Sequence, residues 1–498
     1  MKRVFDYIYL WAERMPNHTA LVFEDERISY QQLRDRSISL ACFLIDCGVC
    51  ECDHVAYILC GCPQFFYLYL ACSMIGVSVA GINIKSPAIE TIGILNEINP
   101  VLTICDDSVK YIDMISEWNP LLISQLEFGP GRVRFNSIDE KINRVSENDI
   151  VFQIFTSGTT GMPKGALLTH KNILTSVGAQ IREFGYPTGL KETDVIQHHV
   201  PLNHVSGAVQ WGVAPLVAGS TIIINREFNP SSIMMNMVKY GATILTGVPA
   251  MWKMFFALPD FSRYDLSFVR WCAIGAAPAD ESLINRILEI CEYCSNPLGL
   301  TETSGFCSFF GELANSSDLV NTVGRIIPEL SYKIVDNEFH SQNTGTIGQL
   351  AYRGRSVIDR YTNGPLPLTD DGYYLSGDLA FEDSKGLIHL CGRADDMFLV
   401  GGYNVYPLEI EKVIMKYPHI EKVAVIPVPH KKMGNVCKAF IVPSGAHVID
   451  KNKLKSFLSD NLMYYKIPRD IEICSSLPTT SLGKVNRQVL INSVSQDC

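Results

Sequence analysis

Asp149-Ile-Val-Phe-Gln-Ile-Phe-Thr156-Ser-Gly-Thr-Thr-Gly-Met-Pro-Lys-Gly165 joins an apolar run directly to a loop of small and hydroxylated residues. Asp149 to Phe155 reads as a buried strand. The loop that follows suits an anion. Gly158 and Gly161 free backbone N–H groups to wrap it, while Thr156, Ser157, Thr159 and Thr160 add hydroxyl donors. Lys164 adds a mobile positive charge. Polyphosphate is the ligand this chemistry fits. The loop is not a Walker A loop, because Pro163 stands where that motif has Gly and Lys164 is followed by Gly165 rather than Ser or Thr. Ala166-Leu-Leu-Thr-His reads as a second strand, so no helix N-terminus assists. A plain surface loop is the alternative, and ten residues of this kind after a buried strand make it the weaker one.

Working outward, the first half alternates strands and helices. Ser29 caps a helix whose apolar face holds Leu33, Ile38, Ala41 and Leu44 and which Gly48 closes. Strands follow at Val55-Ala-Tyr-Ile-Leu59, near Val77 and at Val101-Leu-Thr-Ile-Cys105, with a helix from Pro63. This is the pattern of an α/β domain with a largely parallel sheet. From Ile334 to Gly386 helical periodicity disappears, and Asp370-Asp-Gly-Tyr-Tyr374 reads as a hairpin-like turn, so a β-rich subdomain is expected there. After Gly392-Arg-Ala-Asp-Asp396 a helix over Pro407 to Lys416, strands at Val423 and Lys438, and a helix from Asp450 to Asn461 form a small α+β domain. The expected organisation is an α/β fold, with residues 1–394 as a large N-terminal domain and 395–498 as a small mobile C-terminal one.

The 498 residues carry a net charge of −10 without a Lys/Arg-rich run, which argues against nucleic acid or an anionic membrane surface as partner. Phe65 to Ile84 is uncharged and nearly long enough to span a bilayer, but Gly76, Gly81 and the alternation after Val77 read as a buried helix and strand. No signal peptide and no transmembrane segment are expected, and sixteen cysteines without a secretion signal point to free thiols in a reducing cytoplasm. Neither Cys47–Cys62 nor Cys291–Cys294 has the paired spacing of a zinc site, so these cysteines are expected to be small buried hydrophobes.

The decapeptide Thr156–Gly165 resembles the signature loop of the adenylate-forming superfamily, which includes acyl-CoA synthetases, 4-coumarate–CoA ligases, luciferases and peptide-synthetase adenylation domains. Six further motifs follow in that family's order. Gly275-Ala276-Ala277-Pro278 resembles the segment against adenine. Leu298-Gly299-Leu300-Thr301-Glu302 resembles the one whose Thr meets the α-phosphate and whose Glu holds magnesium. Tyr374-Leu-Ser-Gly-Asp378 supplies the Asp for the ribose hydroxyls, and Gly392-Arg393-Ala-Asp-Asp396 the ribose-binding Arg and a hinge at Asp395. Gly401-Gly402-Tyr-Asn-Val-Tyr-Pro407 resembles the loop that enters for thioester formation, and Leu477-Pro-Thr-Thr-Ser-Leu-Gly-Lys484 the segment with the catalytic lysine. The resemblance covers nearly the whole chain. It implies ATP, Mg2+ and coenzyme A as co-reactants of a carboxylic acid, adenylation first, then a rotation of the small domain that withdraws Lys484.

The residues suit those roles. A carboxylate and ATP repel each other, and Lys164, Lys484 and a magnesium on Glu302 would offset charge where it develops. Asp378 can accept from two hydroxyls, and Arg393 offers a planar fork of donors. Taken alone, each has a bland reading: a solvated Lys484, a turn Asp378, an ion-paired Arg393. Pro201-Leu-Asn-His204 resembles the Pro-x-x-His segment of acyl-CoA ligases, placing His204 beside the acid, although a satisfied core histidine is the alternative. No acidic residue lies between Pro201 and Gly219 to hold an amino acid's amine. Ser206 stands where some aryl ligases have Tyr, which favours an aliphatic acyl chain over an aryl one. The chain departs from the family at Leu298, where relatives stack an aromatic ring on adenine, and at Phe398-Leu399, where many have Ile-Lys. Transfer to a carrier-protein phosphopantetheine is the nearest rival reading, and a non-catalytic nucleotide-binding scaffold the more distant one. Nothing after Leu490 resembles a carrier domain, so a freestanding enzyme is expected.

Overall fold

The computed structural model describes residues 1–126, 135–156, 164–184, 189–275, 277, 279–310, 316–445, 447–479 and 485–495. Two compact units make up the chain, one of residues 1–332 with 352–374 and the other of 333–351 with 375–498. Asp395 lies inside the second unit.

Helix signals read from sequence work as capping physics predicts. Ser29 Oγ accepts from the N–H of Gln32, and the Gln32 side chain accepts from the N–H of Ser29, which starts the helix Tyr30–Asp46. Pro63 opens the helix Pro63–Met74, whose residues from Phe65 to Met74 are all buried. The strand Ser78–Gly81 follows, also buried. The uncharged stretch is therefore a core helix and a core strand. Among the described residues no helix is long and apolar enough to cross a membrane.

Among the described residues, two large mixed sheets carry the first unit. One has eight strands, in which Pro120–Leu122, Leu102–Cys105, His54–Ile58, Ser78–Gly81 and Ile150–Thr156 run parallel. Lys164–Thr169 then turns back antiparallel to Ile150–Thr156, and Arg360–Tyr361 adds at its outer edge. The second sheet has seven strands. Tyr293–Ser295, Trp271–Ile274, Ile244–Gly247, Val195–His198, Thr221–Ile224 and Thr19–Phe23 are parallel neighbours in that order, and Glu26–Ser29 is antiparallel at the edge. Helices pack on it through a core that includes Trp252, Phe255, Met234 and Ile284. Each such side chain contributes roughly 1.5–3 kcal/mol when buried.

Most of a four-stranded sheet, which ends in Tyr374–Glu382 and Ile388–Arg393, lies in the second unit. The expected turn at Asp370–Tyr374 forms around Gly372 at φ +82, with Thr369 Oγ1 donating to Asp371. Beyond it, the long pair Ile420–His430 and Gly434–Pro443 is flanked by Phe398–Val400, Tyr403–Val405 and Asp470–Ile473. Ile410, Ile414, Leu454 and Leu458 pack the helices Pro407–Ile414 and Lys451–Asn461 into one core with this sheet.

One element is irregular and one expectation fails. Ser206–Val213 is a π-helix that runs directly into the helix Ala214–Ala218. The expected burial of the cysteines fails at Cys47, Cys50 and Cys52, which are exposed. They lie on the tight connection after Asp46, where Gly48 and Cys52 both take positive φ.

Candidate active site

In the seven-stranded sheet, four parallel strands deliver their following loops to one carboxyl-terminal edge, the usual ligand edge of an open α/β sheet. Val195–His198 leads to His204, Ile244–Gly247 to Val248, Trp271–Ile274 to Ala277, and Tyr293–Ser295 to Leu298–Glu302. His204 is half-buried at the entry to the π-helix, its Nε2 3.4 Å from Asn203 Nδ2. Ala277 is exposed.

Leu298 is pinned through its backbone. Its N–H donates to Ser308 Oγ at 3.1 Å, and its carbonyl accepts from the N–H of Cys307 at 2.9 Å. Gly299–Leu300 then pairs antiparallel with Gly305–Phe306, leaving Thr301-Glu302-Thr303-Ser304 as the turn. The N–H of Ser304 donates to Thr301 O at 3.0 Å, and Thr303 Oγ1 donates to Gly305 O at 2.8 Å. Glu302 is thereby held half-buried at a tight, internally bonded tip.

The Thr156–Gly165 segment is a hairpin connection. Thr156 and Lys164 face each other across the ladder, and Phe155 faces Gly165. Both ends of the loop are fixed. Gly165 also takes the backbone of Arg360–Tyr361 close beside it: the N–H of Thr362 donates to Gly165 O at 2.8 Å, and a Cβ at Gly165 would meet Thr362 Cγ2 at 2.7 Å. This contact sets Tyr361. Lys164 Nζ lies 5.9 Å from the centre of its ring, and its hydroxyl donates to Glu302 Oε1 at 2.8 Å. Burial, with the Glu302 charge, raises the phenol far above its usual range. It stays neutral and remains a donor. Lys164, Tyr361 and Glu302 thus form one line in the first unit.

In the second unit Asp378 and Arg393 are register partners on adjacent strands. Arg393 Nη1 donates to Asp378 Oδ1 at 2.8 Å and to Ser376 O at 2.9 Å. The backbone N–H of Asp378 donates to Ser376 Oγ at 3.0 Å. Asp378 is 8% exposed, and its second oxygen has no hydrogen-bond partner among the described residues. Arg393 lies over Gly377, where a Cβ would be 2.7 Å from Nη2. Gly401 and Gly402 form the two-residue turn between Phe398–Val400 and Tyr403–Val405, both at positive φ as a type I′ hairpin requires.

Ser157, Gly158, Thr159, Thr160, Gly161, Ala276 and Lys484 lie outside the described residues, and of Thr156 only the backbone is described. The flanks of the Lys484 segment are held together. Thr479 bridges to Val485, and the N–H of Asn486 donates to Pro478 O at 2.8 Å. Next to it Arg487 donates from Nη2 to both oxygens of Glu411 at 2.8 Å and from Nη1 to Asp396 at 3.1 Å. Neither Tyr361 nor Arg487 stands out in the sequence. One is in a two-residue strand, and the other is a lone basic residue in the C-terminal tail.

Residues 9–362 match the family model described as AMP-binding enzyme, and residues 409–484 the one described as AMP-binding enzyme C-terminal domain. The indoleacetate–CoA ligase of Aromatoleum aromaticum is 27% identical over 500 residues, spanning 96% of each chain. A fatty acid–[acyl-carrier-protein] ligase, ScoC of Streptomyces coeruleorubidus, is 26% identical over 489 residues, spanning 96% of this chain and 94% of its own. The ATP-bound structure of MatB from Rhodopseudomonas palustris superposes with a TM-score of 0.86 at 24% identity over 99% of both chains, which shows a shared fold.

Proposed function

Because the chain belongs to the AMP-binding enzyme family, within the adenylate-forming superfamily, we propose that it activates a fatty or aryl carboxylic acid with ATP and passes the acyl group to coenzyme A. In the first half-reaction a carboxylate oxygen attacks the α-phosphorus and pyrophosphate leaves. In the second the thiol sulfur attacks the acyl carbon, its proton passes to solvent, and AMP leaves with the carboxylate oxygen it gained. The observation that carries this reading is the line from Lys164 through the neutral Tyr361 to Glu302. It links a cation at the end of the proposed anion loop, through one phenol, to a carboxylate.

The acceptors fit a metal nucleotide. Among the described residues no three His, Cys, Asp or Glu gather to hold a metal by themselves. One carboxylate with phosphate oxygens is a normal magnesium shell, and Glu302 would supply that carboxylate. A bound magnesium would neutralise phosphate charge. The unpartnered oxygen of Asp378 suits the ribose hydroxyls, and Arg393 orients that carboxylate. Thr156, Ser157, Gly158, Thr159, Thr160 and Gly161 wrap the phosphates. Ala276, Ala277, Leu298, Gly299 and Thr301 line the adenosine and α-phosphate, and His204 donates to the acid. Lys484 offsets charge during adenylation, Asp395 is the hinge, and the Gly401–Gly402 turn guides the thiol.

Acid-dependent exchange of pyrophosphate into ATP, followed by thioester formation with coenzyme A, tests the reading. Exchange without thioester on coenzyme A, but with thioester on a phosphopantetheinyl carrier, would move the second half-reaction to a carrier protein, the acceptor named for the ScoC relative. No exchange with any acid from folded, ATP-binding protein would defeat the reading.

A further inference from the structure

Two residues past Glu302 and six past His204, three costly features meet at one place. Ser304 is fully buried at φ +56, a strained conformation for a residue other than glycine. Its neighbour Gly305 is tightly approached. A Cβ there would lie 1.8 Å from Gln210 Nε2 and 2.7 Å from Ser176 Oγ, so both side chains converge on its Cα. Gln210 comes from the π-helix, a rare element that is frequent at functional sites. Ser176 comes from the helix His170–Glu183.

Ser304, Ser176 and Gln210 are 0%, 1% and 2% exposed. Ser304 Oγ, Ser176 Oγ and Gln210 Nε2 have no hydrogen-bond partner among the described residues. Each unpaired buried polar group is a cost to folding. Beside them the wall is aromatic: the ring of Phe306 is 5.2 Å from Phe184 and 6.2 Å from Trp211. Folding alone gains nothing from three orphaned polar groups, a strained serine and a π-helix in one apolar corner.

The geometry points to a specificity site in which Ser304, Ser176 and Gln210 recognise a neutral oxygen, a hydroxyl or oxo group, carried on the hydrocarbon part of the acid. This rests on the acid-activating reading above. Gln210 Nε2 can only donate, and the two hydroxyls can donate or accept, so the set matches an acceptor oxygen. None of the three carries charge, so a second carboxylate or an ammonium group is not what they match. Gln210 is unbranched, and its amide meets the ligand by a change of rotamer.

The test is pyrophosphate exchange with each acid that supports it and with that acid's hydroxy and oxo derivatives at successive positions, repeated on Gln210→Leu, Ser304→Ala and Ser176→Ala proteins whose folding is checked by thermal unfolding. At least one oxygenated acid should exceed its parent in kcat/KM by about tenfold or more, and the variants should bring that preference to within about threefold. If one variant does not fold, the other two carry the comparison, and the wild-type preference stands independently of all three. Parent acids used as well as every derivative, or a preference untouched in folded variants, would overturn the inference and leave the adenylation reading intact. Absence of exchange with every acid would remove the reading and the inference together.

Discussion

Tyr361 donates its hydroxyl hydrogen to Glu302 at 2.8 Å from 59 residues away in sequence, while its ring lies under Lys164. The phenol is therefore the joint between the phosphate loop and the carboxylate proposed for magnesium. Tyr361→Phe keeps the ring and removes the donor. A hydrogen bond to a charged group is worth about 1.5–3 kcal/mol. Pyrophosphate exchange should fall roughly 10- to 100-fold, with the half-saturating Mg2+ concentration raised. An unchanged Mg2+ dependence would show that Tyr361 does not position Glu302.

Gly377→Ala should disturb the Asp378–Arg393 pair without touching either residue. Gly377 has φ +77, and the new methyl would stand 2.7 Å from Arg393 Nη2. The guanidinium must move off Asp378. Stability should drop by about 1 kcal/mol or more, and KM for ATP should rise more than kcat falls. Steady-state kinetics over ATP concentration checks this, and an unaltered KM would contradict the ribose assignment.

Arg487→Met should be among the most destabilising substitutions in the second unit. It leaves Glu411, 7% exposed, as a buried carboxylate without its bidentate partner. Breaking such a pair costs about 3–5 kcal/mol. Burial already raises the Glu411 pKa, against the opposing pull of Arg487. A raised carboxylate stabilises the fold while protonated, and that contribution is lost as pH climbs from the ordinary carboxylate range through the raised value. The deficit of Arg487→Met should therefore widen with rising pH. A Glu411→Gln/Arg487→Met protein should recover part of the loss. Denaturant titrations of the single and double variants at several pH values decide it.

Three buried histidines predict the opposite slope on the acid side. Burial lowers the pKa of His170 to about 4 and of His199 to about 3, and it lowers that of His198 as well. All three are neutral when folded and take up protons when unfolded below about pH 6.5. Their contribution is complete above that pH and is lost as pH falls toward the folded values. Each can change stability by about 1.4 kcal/mol per pH unit in that window. His170 Nδ1 accepts from the N–H of Val4, fixing the N-terminal helix. In His170→Gln the acid-side slope should be shallower by about one proton, as read from unfolding free energy against pH.

Much of this was legible because it is local. The Ser29 cap and the strand before Thr156 each follow from residue chemistry within a few positions. The order of motifs offered Glu302, Asp378 and Arg393 as candidates. Tyr361 was not legible, since a strand of two residues has no period and its partner Glu302 is distant in sequence. Ser206–Val213 carries no α-helical periodicity to announce a π-helix. Arg487 pairs with residues 76 and 91 positions away, so its anchoring role exists only in the fold. Exposure of Cys47, Cys50 and Cys52 follows from the shape of one tight connection, which hydrophobicity alone does not specify.

The interleaving of the two units bears on synthesis. The strand Lys164–Thr169 leaves the ribosome long before Arg360–Tyr361 can cover its edge, for Thr362 meets Gly165 across 197 residues. In the interval the nascent chain carries an open, apolar ladder of Ala166, Leu167 and Leu168, the kind of edge that recruits foreign strands. Residues 333–351, which belong to the other unit, must also emerge before the first can finish. A message truncated before codon 360 would thus yield a product that binds chaperones or aggregates, however well its N-terminal helices form.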